Sequence, residues 1–148
     1  AFMERQLEAY LHQHIPISKA MGISVVQADL KKIILAAPFS LNINHKKTVF
    51  GGSLHAVATL ACWSFVHLHV KDAQIVITKS DVDYLLPVDA DFQAVCLMPE
   101  NEAWQRFLKI LQKKGKARIH LSATISQNER LCVDYRATFA AIRKVDDV

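Results

Sequence analysis

The sequence predicts an α+β fold in which one antiparallel sheet wraps around a single central helix. Two observations carry this expectation. Residues 53–70 read as a helix that is apolar nearly all round, interrupted by His55, Thr59, Ser64, His67 and His69. A helix of that kind must be covered on most sides. Near the end of the chain, Ala117, Ile119, Leu121, Ala123 and Ile125 alternate with Arg118, His120, Ser122, Thr124 and Ser126, and Val133, Tyr135, Ala137 and Phe139 alternate with polar partners. A period of two with one polar face marks an antiparallel hairpin packed on one side. An apolar helix and a one-faced sheet solve each other's burial problem. At 148 residues the chain is expected to form one domain, 1–148.

Residues 2–14 read as a short helix with Phe2, Leu7, Tyr10 and Leu11 on one side, broken by Pro16. Residues 23–37 are β-branched and apolar, one long or broken strand with 29–32 as a bulge or turn. Pro38 opens a polar loop that runs into the central helix, which Lys71-Asp72 ends. Residues 73–84 form a second strand stopped by Leu85-Leu86-Pro87, and a turn at 89–91 leads to a third, 92–97. Asn101 is placed to cap a second helix, with Glu102 in its first turn and Trp104, Phe107, Leu108 and Leu111 on one face. Gly115 ends it in the C′ position after Lys113 and Lys114. The final hairpin turns at 127–129, giving about five strands.

Half of the residues are hydrophobic (51%) and 22% are charged, an ordinary globular balance. Cys62, Cys96 and Cys132 are far apart in apolar stretches with no Cys-x-x-Cys pair, which reads as buried reduced thiols in a cytoplasmic protein. Glu4, Arg5 and Glu8 argue against a signal peptide, and the alanine start leaves open a longer natural chain. The apolar segment 54–70 is interrupted and short of the roughly 20 residues of a membrane span. A net charge of +4 and a pI near 9.0 favour an acidic partner: nucleic acid, a phosphorylated cofactor or an acidic carrier protein. Lys109, Lys113, Lys114, Lys116 and Arg118 form the densest basic run. It reads as a solvated helix end or as a contact for coenzyme A phosphates or a carrier. No aromatic residues alternate with these charges as nucleic-acid stacking would require.

The candidate site is the stretch Asn42-Ile43-Asn44-His45-Lys46-Lys47-Thr48-Val49-Phe50-Gly51-Gly52-Ser53. A helix start with two glycines leaves backbone N–H groups unpaired and approachable. With the helix dipole behind them they suit an anion or a carbonyl oxygen gaining charge. The candidates at the reacting centre are Asn44, His45, Gly52 and Ser53, with Ser53 also able to cap the helix. Asn42, Gly51, His55, Thr59, Lys113, Lys114, Lys116 and Arg118 are candidate substrate contacts. His55 and Thr59 lie four apart on one helix face. His67 and His69 share no face and have no carboxylate or cysteine at ligand spacing, so no metal is expected.

Asn42-x-Asn44-His45-x-x-Thr48-x-Phe50-Gly51-Gly52-Ser53-Leu54 resembles the hotdog-fold family named as putative thioesterases, the domain found at the C-terminus of some bacterial acetyltransferase-like proteins. Thr59-Leu60-Ala61-x-Trp63, Tyr84-Leu85-x-Pro87-Val88, and Trp104-Gln105-Arg106-Phe107 followed by Lys114-Gly115-Lys116-Ala117-Arg118 fit the same family. The resemblance covers nearly the whole chain. It implies a hotdog fold, a homodimer or larger oligomer with sites at the subunit interface, and thioesterase chemistry on acyl thioesters of coenzyme A or acyl carrier protein. No cofactor is implied beyond the coenzyme A or phosphopantetheine of the substrate. Many hotdog thioesterases carry an Asp or Glu about two turns after the glycines, where this chain has Thr59 and a helix without any acidic residue. Decarboxylation of a malonyl thioester, assigned to related members, needs no such base. Two further readings stay open: a module that binds acyl thioesters without chemistry, and one that serves to dimerise a fused domain.

Overall fold

The computed structural model describes residues 1–144. Helix α1 (Phe2–His14) and the short α2 (Pro16–Ala20) precede strands β1 (Ser24–Ala28) and β2 (Lys32–Ala37). Pro16 does not simply end a helix, since with its fixed φ it begins the next one. The predicted strand over 23–37 is two strands paired antiparallel. Asp29 makes the turn between them by accepting hydrogen bonds from the Lys31 and Lys32 N–H groups (2.8 and 2.9 Å). A 3₁₀ turn (Phe39–Leu41) and a polar loop lead to the central helix α3 (Gly51–His69), which is followed by β3 (Ala73–Tyr84), β4 (Phe92–Leu97), α4 (Asn101–Lys114), β5 (Lys116–Gln127) and β6 (Arg130–Arg143).

The six strands form one antiparallel sheet in the order β1-β2-β4-β5-β6-β3, one strand more than the sequence suggested. β5 and β6 join through Asn128 and Glu129, both at positive φ (51° and 63°), a two-residue turn whose twist matches that of the strands. α4 begins one residue earlier than a capping Asn101 would have it. Asn101 is its first helical residue, Glu100 flanks it, and no side chain caps it. Gly115 ends α4 in the left-handed region at φ 77°, as the sequence predicts.

The inner face of the sheet packs on α3, which touches β2 through β6. Leu54, Val57, Ala58, Leu60, Ala61, Cys62, Phe65 and Val66 are buried there. Trp104 of α4 lies edge-on to Phe65 (5.2 Å between centroids) and beside Phe107 (5.1 Å), so the α4 stripe is core. Each large side chain so buried contributes about 2–3 kcal/mol. The three cysteines are free and buried, and burial pushes the Cys62 thiol well above its ordinary value. No helix among the described residues is long and apolar enough to cross a membrane.

The two edges of the sheet are treated differently. Along β1, one side of α1 stitches the exposed backbone. Glu8 accepts from the Val25 N–H (2.8 Å), Glu4 accepts from the Ala28 N–H (3.2 Å), and His12 Nε2–H donates to the Ile23 carbonyl (2.7 Å). Residues 4, 8 and 12 fall on one helical face, so a single helix supplies all three. β3, at the other end, has no neighbour on its outer side among the described residues, and Val76 and Ile77 are 46% and 41% exposed there.

Candidate active site

The entrance to α3 is built by its own backbone. Phe50 precedes the helix in extended conformation (φ −57°, ψ 130°), and its carbonyl accepts from the N–H groups of Ser53 (2.9 Å) and Leu54 (3.2 Å). The Ser53 N–H proposed from sequence as a donor to substrate is therefore already engaged. Gly51 and Gly52, which lie inside the first turn rather than before it, have no acceptor for their N–H groups among the described residues. Neither glycine is at positive φ. The Phe50 ring lies across Gly52: a Cβ there would come within 2.4 Å of that ring, which would have to move aside. At Gly51 a Cβ would meet the Tyr84 ring at an ordinary 3.6 Å, and the Tyr84 hydroxyl donates to the Gly51 carbonyl (3.3 Å).

Beside this helix start is a cleft of about 270 Å³ lined by Val49, Gly51, Leu54 and residues 84–88. The Val49 N–H donates to the Val88 carbonyl (2.8 Å), which ties the polar loop to the cleft's far wall. The lining is largely apolar, so an oxygen gaining charge at its Gly51 end would meet a backbone donor in a partly dry setting where it acts strongly.

Further along the helix, three polar side chains point to the β3–β6 side. His55 Nε2 lies 2.9 Å from Ser80 Oγ, Thr59 Oγ1 lies 2.7 Å from the Tyr135 hydroxyl, and Trp63 Nε1–H donates to the Ile75 carbonyl (3.0 Å). The Tyr135 ring is wholly buried, lies edge-on to the His55 imidazole at 5.4 Å, and burial pushes its phenol up to about 12. At the helical position where a carboxylate was sought, this chain thus holds a neutral pair of hydroxyls.

The two loop asparagines have structural parts, and for Asn44 this is the turn-holding role that an Asn in a loop also allows. Asn42 is buried (3% exposed) and donates through Nδ2 to the carbonyls of Met21 (3.0 Å) and Pro38 (2.8 Å), while its backbone carbonyl accepts from the Phe50 N–H (2.8 Å). It fixes the loop and does not face the cleft, so it is not a substrate contact. Asn44 holds the loop tip: Oδ1 accepts from the N–H groups of Lys46 (2.9 Å) and Thr48 (3.1 Å), and Nδ2 donates to Thr48 Oγ1 (2.9 Å). His45 stands exposed on that tip with no hydrogen bond among the described residues.

The basic run is remote within one chain. Lys116 pairs with Ile142 and Ile142 with Gln74, the strand end beside the C-terminus of α3, whereas the glycines lie at the Tyr84 end. The helix between them is about 28 Å long at 1.5 Å per residue. Lys113, Lys114, Lys116 and Arg118 therefore do not reach the cleft of their own copy.

Ser80, Tyr84 and Tyr135 are the site residues that the sequence reading passed over. Tyr135 lay on the inward face of a well-read strand, and its alternation placed it correctly. Ser80 and Tyr84 were hidden by a bulge: β3 shifts register between Ile77 and Lys79 against β6. Strict alternation from Ile75 would turn residues 80 and 84 outward, and the extra residue turns them in.

A family model described as "Putative thioesterase (yiiD_Cterm)" matches residues 4–143. Among solved structures, a protein of unknown function from Chlorobaculum tepidum TLS superposes with a TM-score of 0.89 at 32% identity, over 96% of this chain and 95% of that one. A putative thioesterase from Shewanella oneidensis superposes at 0.84 with 25% identity, over 94% and 96%. A thioesterase from Haemophilus influenzae, at 0.75 and 15% identity over 95% and 90%, shares the fold.

Proposed function

This chain belongs to the family of that model and has its hotdog fold, and from that premise we propose that it hydrolyses acyl thioesters of coenzyme A or acyl carrier protein. The observation that carries the reading is the pair of unengaged N–H groups at Gly51 and Gly52, next to a small apolar cleft that Gly51 lines. The thioester carbonyl oxygen sits against these donors, each worth about 3–4 kcal/mol as charge develops on it. His55 is the titratable side chain one turn further along the same helix, and it takes the part of the absent carboxylate by accepting a proton as water adds. Its hydrogen bond to Ser80 holds the ring in place for that transfer. Addition of water to the carbonyl carbon, collapse of the oxyanion and loss of the thiol complete the cycle, with His55 returning the proton to the departing sulfur.

A second reading is favoured by one specific observation. The Thr59–Tyr135 hydroxyl pair is neutral and donates or accepts hydrogen bonds without repelling an anion. A malonyl thioester places its free carboxylate near such a pair, loses carbon dioxide, and leaves an enolate oxygen on the Gly51 and Gly52 N–H groups.

The enzyme acts as a homodimer. Support comes from the sheet: α1 covers the β1 edge, whereas β3 presents unpaired backbone and exposed apolar side chains, the condition under which strands add to one another. A cytoplasmic location is supported by the free buried thiols.

The test is a mass-spectrometric assay of the pure protein with acetyl-, malonyl- and longer acyl thioesters on both coenzyme A and carrier protein. Free thiol and free acid are expected. Conversion of malonyl to acetyl thioester with the thiol still acylated would replace hydrolysis by decarboxylation, and no product from any thioester would overturn both.

A further inference from the structure

A second concavity, of about 620 Å³ against about 270 Å³ for the glycine cleft, lies between α1 and the C-terminal end of α3. Its volume falls in the range of small-molecule sites. Phe2, Met3, Leu7 and Tyr10 of α1 and Leu68 of α3 make its wall largely apolar. It follows α1 from Phe2 to Gln13, about 16 Å at 1.5 Å per residue, a length that suits an extended alkyl chain. From Leu54 of the glycine cleft to His67 of this groove is about 20 Å along α3, so the two are separate.

The charge in the groove has one sign. Lys71 is exposed and lines it, as does His67 in the last turn of α3, and no carboxylate among the described residues does. Lys71 also borders the adjoining cavity, where its neighbour Asp72 lies beside Arg143. Glu4 and Glu8 of α1 are turned to the β1 backbone. His67 packs on Tyr10 (4.5 Å between centroids) and Trp63 (4.8 Å). Trp63 and His69 of the same helix bond to the Ile75 and Phe65 carbonyls, whereas His67 has no hydrogen-bond partner among the described residues. Burial, and after it the nearby charges of Lys71 and His14, hold the His67 imidazole below its ordinary value. An anion in the groove would offset those charges and give the ring a partner. The dipole at the end of α3 opposes an anion with about half a negative charge, less than the full positive charge of Lys71.

We propose that this groove binds an aliphatic monocarboxylate, with its headgroup between the Lys71 ammonium and the His67 ring and its alkyl chain along Phe2, Met3, Leu7 and Leu68. The chain supplies the apolar burial. The ammonium supplies a charge-assisted bond that an alcohol of the same length makes more weakly and that an alkylammonium cannot make. Binding is linked to a proton: a carboxylate beside His67 favours the imidazolium, so affinity is highest at low pH and falls as pH rises through the imidazole range. The assignment does not depend on the chemistry of the glycine cleft. If that cleft releases acids from thioesters as proposed, the groove takes the chemical class of its product.

Decanoate, decanol and decyltrimethylammonium carry one tail and three heads, and each is titrated below its micellar concentration into the intact, isotope-labelled protein. Decanoate is expected to bind saturably and about tenfold or more tighter than the other two, with amide shifts confined to residues 2–13 and 67–71. Equal binding of the three, or no saturable binding of decanoate, overturns the assignment. So do shifts at residues 49–54 and 84–88 instead, which would put the acid in the glycine cleft. Groove amides that shift with protein concentration and not with decanoate would mean that a second copy fills the groove, with the same consequence. Lys71→Ala should raise the Kd for decanoate about tenfold, and Lys71→Arg should restore most of the loss. An unchanged Kd in Lys71→Ala overturns the headgroup site. In wild type the affinity should rise from about pH 8 to about pH 6, and His67→Phe, which keeps a ring against Tyr10 and Trp63, should flatten that rise. A pH-independent Kd in wild type removes His67 from the site.

Discussion

Gly52→Ala separates a glycine needed for backbone conformation from one needed for close approach. Its φ is not positive, so alanine adopts the helical backbone without strain and gains up to about 1 kcal/mol of helix propensity. The new Cβ, however, falls 2.4 Å from the Phe50 ring. That ring must leave its seat. Phe50 is 58% exposed, so the contacts at stake are under half of a buried phenylalanine's, about 1 kcal/mol. The two terms nearly cancel, and Gly52→Ala alone should change stability by under about 1 kcal/mol. In Gly52→Ala with Phe50→Ala the clash is gone and the propensity gain remains. Urea unfolding of the four proteins in a double-mutant cycle should therefore give a coupling of about 1 kcal/mol in favour of the double variant. Turnover should fall at least tenfold in Gly52→Ala, where the evicted ring crowds the backbone donors, and recover partly in the double variant. Additivity within about 0.3 kcal/mol would refute the idea that Phe50 is what makes residue 52 glycine.

Asn42→Ala leaves the Met21 and Pro38 carbonyls unpaired beside a buried site and should destabilise by about 2–4 kcal/mol, seen as a Tm drop of several degrees. Glu4 accepts from the Ala28 N–H, and backbone hydrogen bonding holds its carboxyl below the ordinary value. Its contribution is full above the unfolded carboxylate range near pH 4.5 and is lost as pH falls through the lower folded value. Hydrogen exchange at Ala28 should quicken over that interval in wild type and be fast throughout in Glu4→Ala. Ultraviolet titration should find one phenol that stays protonated until about pH 12 and is missing from Tyr135→Phe. Since the unfolded phenol ionises near 10, wild-type stability should fall between pH 10 and 12, and more shallowly in that variant.

What was legible in the sequence was what a short period or a special backbone residue encodes. The alternation of 117–126, the Gly115 stop and the apolar ring around 54–66 all left marks that one strand or one helix is enough to produce. The glycine pair also stood out, as the start of the central helix. Misread were features that depend on two segments meeting. Asn42 and Asn44 are good donors in any loop, and their commitment to Met21, Pro38 and Thr48 shows only when those groups are in place. The Ser53 N–H depended on the conformation of Phe50, and the inward turn of Ser80 and Tyr84 on a bulge that strict alternation conceals. The hairpin inside 23–37 was half visible, because Asp29 marked the turn while the apolar run on either side read as continuous.

If two copies pair through β3 as proposed, the stitching of β1 by Glu4, Glu8 and His12 would limit how many molecules can join as well as where they do. A sheet with two free margins can grow without end, each new chain offering the next a place to add. Closing one margin leaves each molecule a valence of one, and units of valence one stop at two. In the proposed homodimer the thirteen residues of α1 would thus act as a chain terminator for strand addition, leaving a finite pair where a sheet with both margins open would form a ribbon.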